Sequence, residues 1–287
     1  MSQIEIYRAQ RGAEAAAGAA EGVNVVSPFT IEVRFIGGLT QTQRDAFKAA
    51  ADRWSRVIVG DLPSVKVDGE TIDDVVILAQ GRRIDGPGRV LGSAGPTFVR
   101  PAGPARSALL PAKGSMSFDT ADLAQMEQDG TLGDVITHEM GHVLGIGTIW
   151  EDKDLIRNPG TINPTFVGPR AMEEYGRLRG GDGPVRVPVE NEGGEGTADG
   201  HWRDSIFGNE LMTGFVGDSG NPLSRVTVAS LEDMGYEVDM DAAEEFTLPG
   251  LLELAEGGVL APRAVRASLG VMLPIIPIIL PDESLQQ

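Results

Sequence analysis

Apolar and polar side chains alternate through "FTIEVRFIG", with Ile31, Val33 and Phe35 on one side and Thr30, Glu32 and Arg34 on the other. That period of two predicts a half-buried strand. The period then changes. In "QTQRDAFKAAADRWSRVI", Phe47, Ala50, Trp54 and Val57 recur at helical intervals, and Thr40 with Gln43 has the spacing of a capping box. "DDVVILAQ" is a continuous apolar run that predicts an interior strand. "GPTFVRP" and "GSMSFD" predict further short strands or edges, separated by "PAGPARSALLPAKG", whose Pro and Gly content marks a loop. A short helix is expected from Asp119 to Gln128, and Thr131 with Asp134 supplies a start signal for the next one, which enters "THEMGHVLGIGTIW", Thr137 to Trp150.

Beyond Trp150 the texture loosens. "RNPGTINPTFVGPR" reads as loop, "AMEEYGRL" as a helix, and "RGGDGPVRVPVENEGGEGTADG" has no period. "RVTVASLEDMGY" and "DAAEEF" predict late helices. Residues 1–27 place charges where a signal peptide needs an apolar core, so they are expected to be a flexible lead-in or a short pro-segment, with no evident secretory signal. Residues 249–287 form a Pro-rich C-terminal extension. Its "GVMLPIIPIILP" is too short and too interrupted by proline to span a bilayer, and is expected to be an extended strap on the body or a partner-binding tail.

Composition narrows the function. The 287 residues suffice for one large domain or two modest ones, and carry 42 acidic against 24 basic residues, a formal charge of −18. Such a surface repels phosphate backbones, which argues against nucleic acid as a partner. The chain has no cysteine, which excludes disulfides, thiolate metal ligands and a cysteine nucleophile together. Nothing in it fixes an oligomeric state.

The chemistry concentrates in His138-Glu139-Met140-Gly141-His142. On a helix the two histidines project from one face a turn apart and can grip one metal ion, while Ile136, Met140, Val143 and Leu144 form an apolar stripe roughly opposite. Glu139 then lies where a carboxylate could take a proton from a water that attacks a carbonyl. A hydrolytic zinc site ordinarily takes three protein ligands. Gly145 is a natural stop and turn after the helix, but the position three residues later, where a compact site would place its third histidine, is Thr148. The one histidine left is His201, 59 residues after His142 in "GHWRDSIFGNELMTGF". Eleven residues on comes Met212, which could underlie the ligands as a turn methionine or be an ordinary core residue.

H-E-M-G-H-V-L-G-I-G followed, after a long insertion, by G-H-W and E-L-M resembles the leishmanolysin family of zinc metalloendopeptidases, within the metzincins. The resemblance implies His138, His142 and His201 as ligands of one catalytic Zn2+, Glu139 as general base and Met212 as the turn methionine. It implies an α+β, zincin-like fold: a twisted, mostly parallel sheet with an active-site helix, in an N-terminal catalytic subdomain (28–147), then a less regular C-terminal subdomain (148–248) that brings the third ligand. The activity implied is hydrolysis of internal peptide bonds in a protein or peptide substrate. Two alternatives stay open: a non-catalytic binding protein of the same fold, and a zinc hydrolase of a non-protein amide or ester. Trp150 and Trp202 could line the cleft or belong to the core. "GSMSFD" is a candidate for the sheet edge that pairs with extended substrate. Tyr236 could stabilise an oxyanion or simply pack. Asp119, Asp122 and Asp134 lack any recognised calcium-loop spacing, so Ca2+ is possible but unsupported. Relatives of this kind from protozoa and animals are rich in cysteine and membrane-anchored, and this chain departs from them in having no cysteine.

Overall fold

In chain order the elements are β1 (Glu5–Gln10), β2 (Thr30–Gly37), α1 (Gln41–Val57), β3 (Val65–Val67), β4 (Glu70–Ile72), β5 (Val75–Arg82), β6 (Val90–Val99), β7 (Pro111–Asp119), α2 (Thr120–Asp129), α3 (Leu132–Val143), β8 (Ile156–Arg157), β9 (Thr165–Phe166), α4 (Pro169–Leu178), β10 (Val187–Pro188), α5 (Asp204–Phe207), α6 (Arg225–Met234), β11 (Val271–Leu273) and β12 (Ile278–Ile279). The computed structural model describes residues 4–11, 29–88, 90–194, 196–214, 220–250 and 271–286. The rest of the lead-in (1–3 and 12–27) and of the C-terminal extension (251–270 and 287) lies outside the described residues.

The central sheet runs β1-β2-β5-β7-β6, with β11 and β12 both beside β6. Its pairings are parallel except at β1·β2 and β6·β7, which makes the fold mixed α/β with a mostly parallel sheet. The alternation in β2 buries Ile31, Val33 and Phe35 as its period requires. Thr40 and Gln43 form the capping box of α1, each side chain accepting from the other's backbone N–H. Phe47, Ala50, Ala51 and Trp54 of that helix are buried. Trp54 also donates through its indole N–H to the Thr137 carbonyl at 2.9 Å, which fastens α1 to α3.

Several expectations are corrected. Glu5–Gln10, expected within the lead-in, is a strand: Tyr7 bonds both carboxylate oxygens of Asp52 at 2.8 and 2.9 Å, and Ala9 is buried. Its charges hid it, since Glu5 pairs with Lys48 of α1 at 2.9 Å and Arg8 with Glu32 of the neighbouring β2 at 2.6 Å. "GSMSFD" belongs to β7, which is interior; the strand beside it, β6, is the one that meets the C-terminal segment. "DAAEEF" yields only a 3-10 turn at Met240–Ala242. Thr131 and Asp134 do mark the start of α3, Thr131 as its N-cap residue without a side-chain cap bond and Asp134 in the first turn, where it accepts from the backbone N–H of Gly220 at 2.6 Å. The extension after residue 270 does lie on the body as a strap, with Leu280 packed in a second small cluster beside Val65, Val76 and Ala112. Among the described residues no helix is long and apolar enough to cross a membrane.

Candidate metal centre

α3 carries His138 and His142 on one face, and the two imidazoles reach towards His201 until all three Nε2 atoms lie 2.9–3.1 Å apart. Each Nδ1 faces a carbonyl oxygen: His138 that of Leu211 at 2.6 Å, His142 that of Ile146 at 2.8 Å, and His201 that of Thr197 at 2.8 Å. A carbonyl only accepts, so the proton of each ring sits on Nδ1 and the three Nε2 lone pairs converge with no proton between them. Burial keeps the rings neutral, lowering His138 to about 3, His142 to about 4, and His201 well below its usual value. Three converging bare lone pairs fit a cation, and three imidazoles backed by carbonyls fit zinc.

The turn after α3 supplies one of those backing carbonyls. Gly145 takes φ of 106°, a left-handed conformation that favours glycine, and Ile146 N–H bonds the Gly141 carbonyl at 3.1 Å, which presents the Ile146 carbonyl to His142. Thr148, where a compact site would have a ligand, donates to the His142 carbonyl at 2.8 Å.

His201 returns across the insertion by backbone contact. A Cβ on Gly147 would stand well inside van der Waals contact distance of the Gly200 carbonyl, so the segment carrying the third histidine lies directly on the turn beyond the first two. Glu190 fixes that segment from the other side. Its backbone N–H bonds the His201 carbonyl at 2.8 Å, and its buried carboxylate accepts from Asn191, Glu192 and Asp204. Trp202 N–H then bonds the Met212 carbonyl at 2.9 Å, joining the histidine segment to the methionine turn.

Met212 lies against α3: a Cβ on Gly141, between the two helix histidines, would stand 2.8 Å from its sulfur. The turn is held by Glu210, fully buried, whose carboxylate accepts from Met212 N–H at 2.6 Å and from Ser224 N–H at 3.1 Å, and from the Ser224 and Thr227 hydroxyls. Burial raises the Glu210 pKa, and these four donors act against that rise. Glu190 and Glu210 escaped sequence reading because an isolated acid among Gly and Pro has no periodic signal. The "ELM" triplet was the available clue to Glu210.

Glu139, His142 and His201 open on a cavity of about 350 Å³, walled also by Gly147–Thr148, Ala198–Gly200 and residues 274–277. Burial pushes the Glu139 carboxyl up to about 8; a cation on the triad would draw it back down. The two tryptophans are corrected as cleft candidates. Trp150 and Trp202 are fully buried, pack against each other with ring centroids 4.8 Å apart and planes tilted by 31°, and do not line this cavity. Tyr236 is also interior, its hydroxyl donating to the Leu144 carbonyl at 3.0 Å. Asp119 and Asp122 accept loop N–H groups from residues 84–88, and Asp119 caps α2 as well.

A mixed α/β fold with an H-E-x-x-H helix and a distant third histidine defines a metallopeptidase-type centre. A family model described as leishmanolysin matches residues 104–250, just over half the chain, and the protein belongs to that peptidase family. It is 42% identical over 82 residues to a leishmanolysin-like peptidase of Caenorhabditis elegans, an alignment covering 28% of this chain and 12% of that protein. It is 30% identical over 138 residues to a leishmanolysin homolog of Crithidia fasciculata, with 44% and 20% covered. Over 148 residues it is 30% identical to Leishmania donovani leishmanolysin, with 47% and 24% covered. The matched region thus spans a quarter or less of these relatives' length.

Proposed function

We propose that this chain is a zinc metalloendopeptidase that cleaves internal peptide bonds of proteins, with His138, His142 and His201 holding the metal and Glu139 as general base. The observation that carries the reading is the convergence of three unprotonated Nε2 atoms beside a carboxylate that opens on the same cavity. Zinc, when bound there, supplies a Lewis acid that makes water nucleophilic near neutral pH. The Glu139 carboxylate takes a proton from the attacking water and delivers it to the departing amide nitrogen. Leu211, Ile146 and Thr197 keep each imidazole in its metal-binding tautomer through their carbonyls. Gly145 turns the chain from an N-terminal catalytic subdomain (28–147) into a C-terminal one (148–248), with Met212 as the floor of the site.

The reading is tested by quantifying zinc in the wild type and in Glu139→Ala, and assaying both on casein with and without a chelator. One zinc per chain in each, with hydrolysis only in the wild type, is the expected result. Zinc in both and hydrolysis in neither would remove the peptidase assignment.

A further inference from the structure

The β6 strand, at the end of the sheet beside α3, is an edge that an extended peptide could join by strand addition, placing its backbone along the cavity of Glu139 and His142. That edge is already taken. Met272 stands opposite Gly92 and Leu273 opposite Ser93, then Ile278 opposite Phe98 and Ile279 opposite Val99, all in the parallel sense and at one constant offset. The intervening Pro274-Ile275-Ile276-Pro277 therefore tracks residues 94–97 in step, and a Cβ on Gly95 would stand 3.3 Å from that of Ile275. The same segment touches the opposite wall, where a Cβ on Gly196 would lie 2.6 Å from the Met272 carbonyl oxygen. Residues 274–277 are themselves walls of the cavity in front of the triad.

The strap does not pass the edge on to a newcomer. Pro274 and Pro277 have no N–H to donate, and prolines on an edge strand blunt further pairing. Three residues apart on an extended segment, the two prolines face opposite sides, so one removes a donor towards β6 and the other a donor on the outer edge; the centre of the strap, level with the cavity, carries no ladder pair, while β11 and β12 hold its two ends. The arrangement suits a segment that is anchored yet lifts at its middle.

We propose that residues 271–280 are an in-chain competitor for the peptide-binding edge of β6, which an extended substrate must displace to reach Glu139. This rests on the peptidase reading above for the identity of the incoming peptide. Because the chain has no cysteine, a Gly95→Cys/Ile275→Cys pair would be its only thiols, and their spacing is near that of a disulfide.

With zinc content measured in both states, casein hydrolysis by the oxidised double variant should fall at least tenfold below the reduced one, and each single variant should be indifferent to reductant. Equal rates in the two states would overturn the proposal. A second measurement needs neither turnover nor the cysteines: amide hydrogen exchange on zinc-loaded Glu139→Ala with and without a casein peptide. Exchange at 271–280 should quicken several-fold on peptide addition while β6 stays protected; unchanged exchange at 271–280 overturns the proposal. No hydrolysis by the zinc-loaded wild type together with quickened exchange would remove the peptidase reading and leave the displaced strap standing.

Discussion

Nδ1 of His138 donates to the carbonyl oxygen of Leu211 at 2.6 Å, so the first metal-facing imidazole is held by the turn that contains Met212 rather than by its own helix. That turn in turn depends on the Glu210 carboxylate, which accepts the Met212 N–H. In Glu210→Ala, two backbone donors and two hydroxyls lose their buried acceptor. The expected cost is about 3 kcal/mol of stability with about 10–100-fold weaker zinc binding. Glu210→Gln, which keeps one acceptor oxygen, should recover part of both. Thermal unfolding and a zinc competition titration check this; an unchanged zinc affinity in Glu210→Ala would show that the Leu211 carbonyl needs no such support.

How much of this site could be read beforehand depended on locality. His138, Glu139 and His142 were legible because one helical turn defines their relation, and His201 because no other histidine remained. What joins His201 to them was not legible. The contact of Gly147 with Gly200, and the Glu190 carboxylate that gathers three N–H groups, depend on a path through residues 151–200 that has no period to read. The same limit governed the sheet. β2, α1 and β5 followed from apolar spacing, but β1 was masked by charges that pair with β2 and with α1, and the edge position passed to β6 because β7 is paired on both sides.

The insertion has its own pH response. Asp233 on α6 accepts the N–H groups of Arg170 and Ala171 at the start of α4, at 3.0 and 2.9 Å, and burial raises its pKa to about 6 despite those bonds. A raised carboxyl pKa means that the folded state holds the proton more tightly, so between about pH 4 and 6 folding takes up a proton. Stability from this group is greatest at the acid end and falls as pH rises through that window. Denaturant titrations of wild type and Asp233→Asn should therefore give a stability difference that shifts in favour of the variant from pH 4 to pH 6. A difference that stays flat would place the ordinary carboxyl pKa at this position.

Removing the metal should loosen the fold as well as stop hydrolysis. Without a cation the three Nε2 lone pairs face one another at 2.9–3.1 Å with no donor among them, a repulsive arrangement that zinc converts into ligation. At free zinc about a thousand times its Kd, binding adds about 4 kcal/mol to stability. The wild-type Tm should fall on chelation and return with zinc. His201→Ala should show a Tm far less sensitive to zinc at the same concentration, because two ligands remain on one helical face and the third is gone. Equal zinc-dependent Tm shifts in the two proteins would exclude His201 from the centre.

Gly147 offers the sharpest test of how the insertion completes the site. Its φ of 73° is left-handed, and a Cβ there would overlap the Gly200 carbonyl, which is backbone and cannot swing aside. Gly147→Ala must push the 196–202 segment outward at Gly200, the residue before His201, while leaving His138 and His142 on an intact α3. Overpacking and a strained φ together should cost about 2–3 kcal/mol, and zinc affinity should fall by more than the loss in stability alone would bring. Gly180→Ala is a useful comparison, since φ there is 77° with open space around the position. It carries the backbone strain without the collision. Weaker zinc binding in Gly147→Ala alone would assign the effect to the Gly147–Gly200 contact, whereas unaltered affinity in both would mean that His201 is positioned from the Glu190 side.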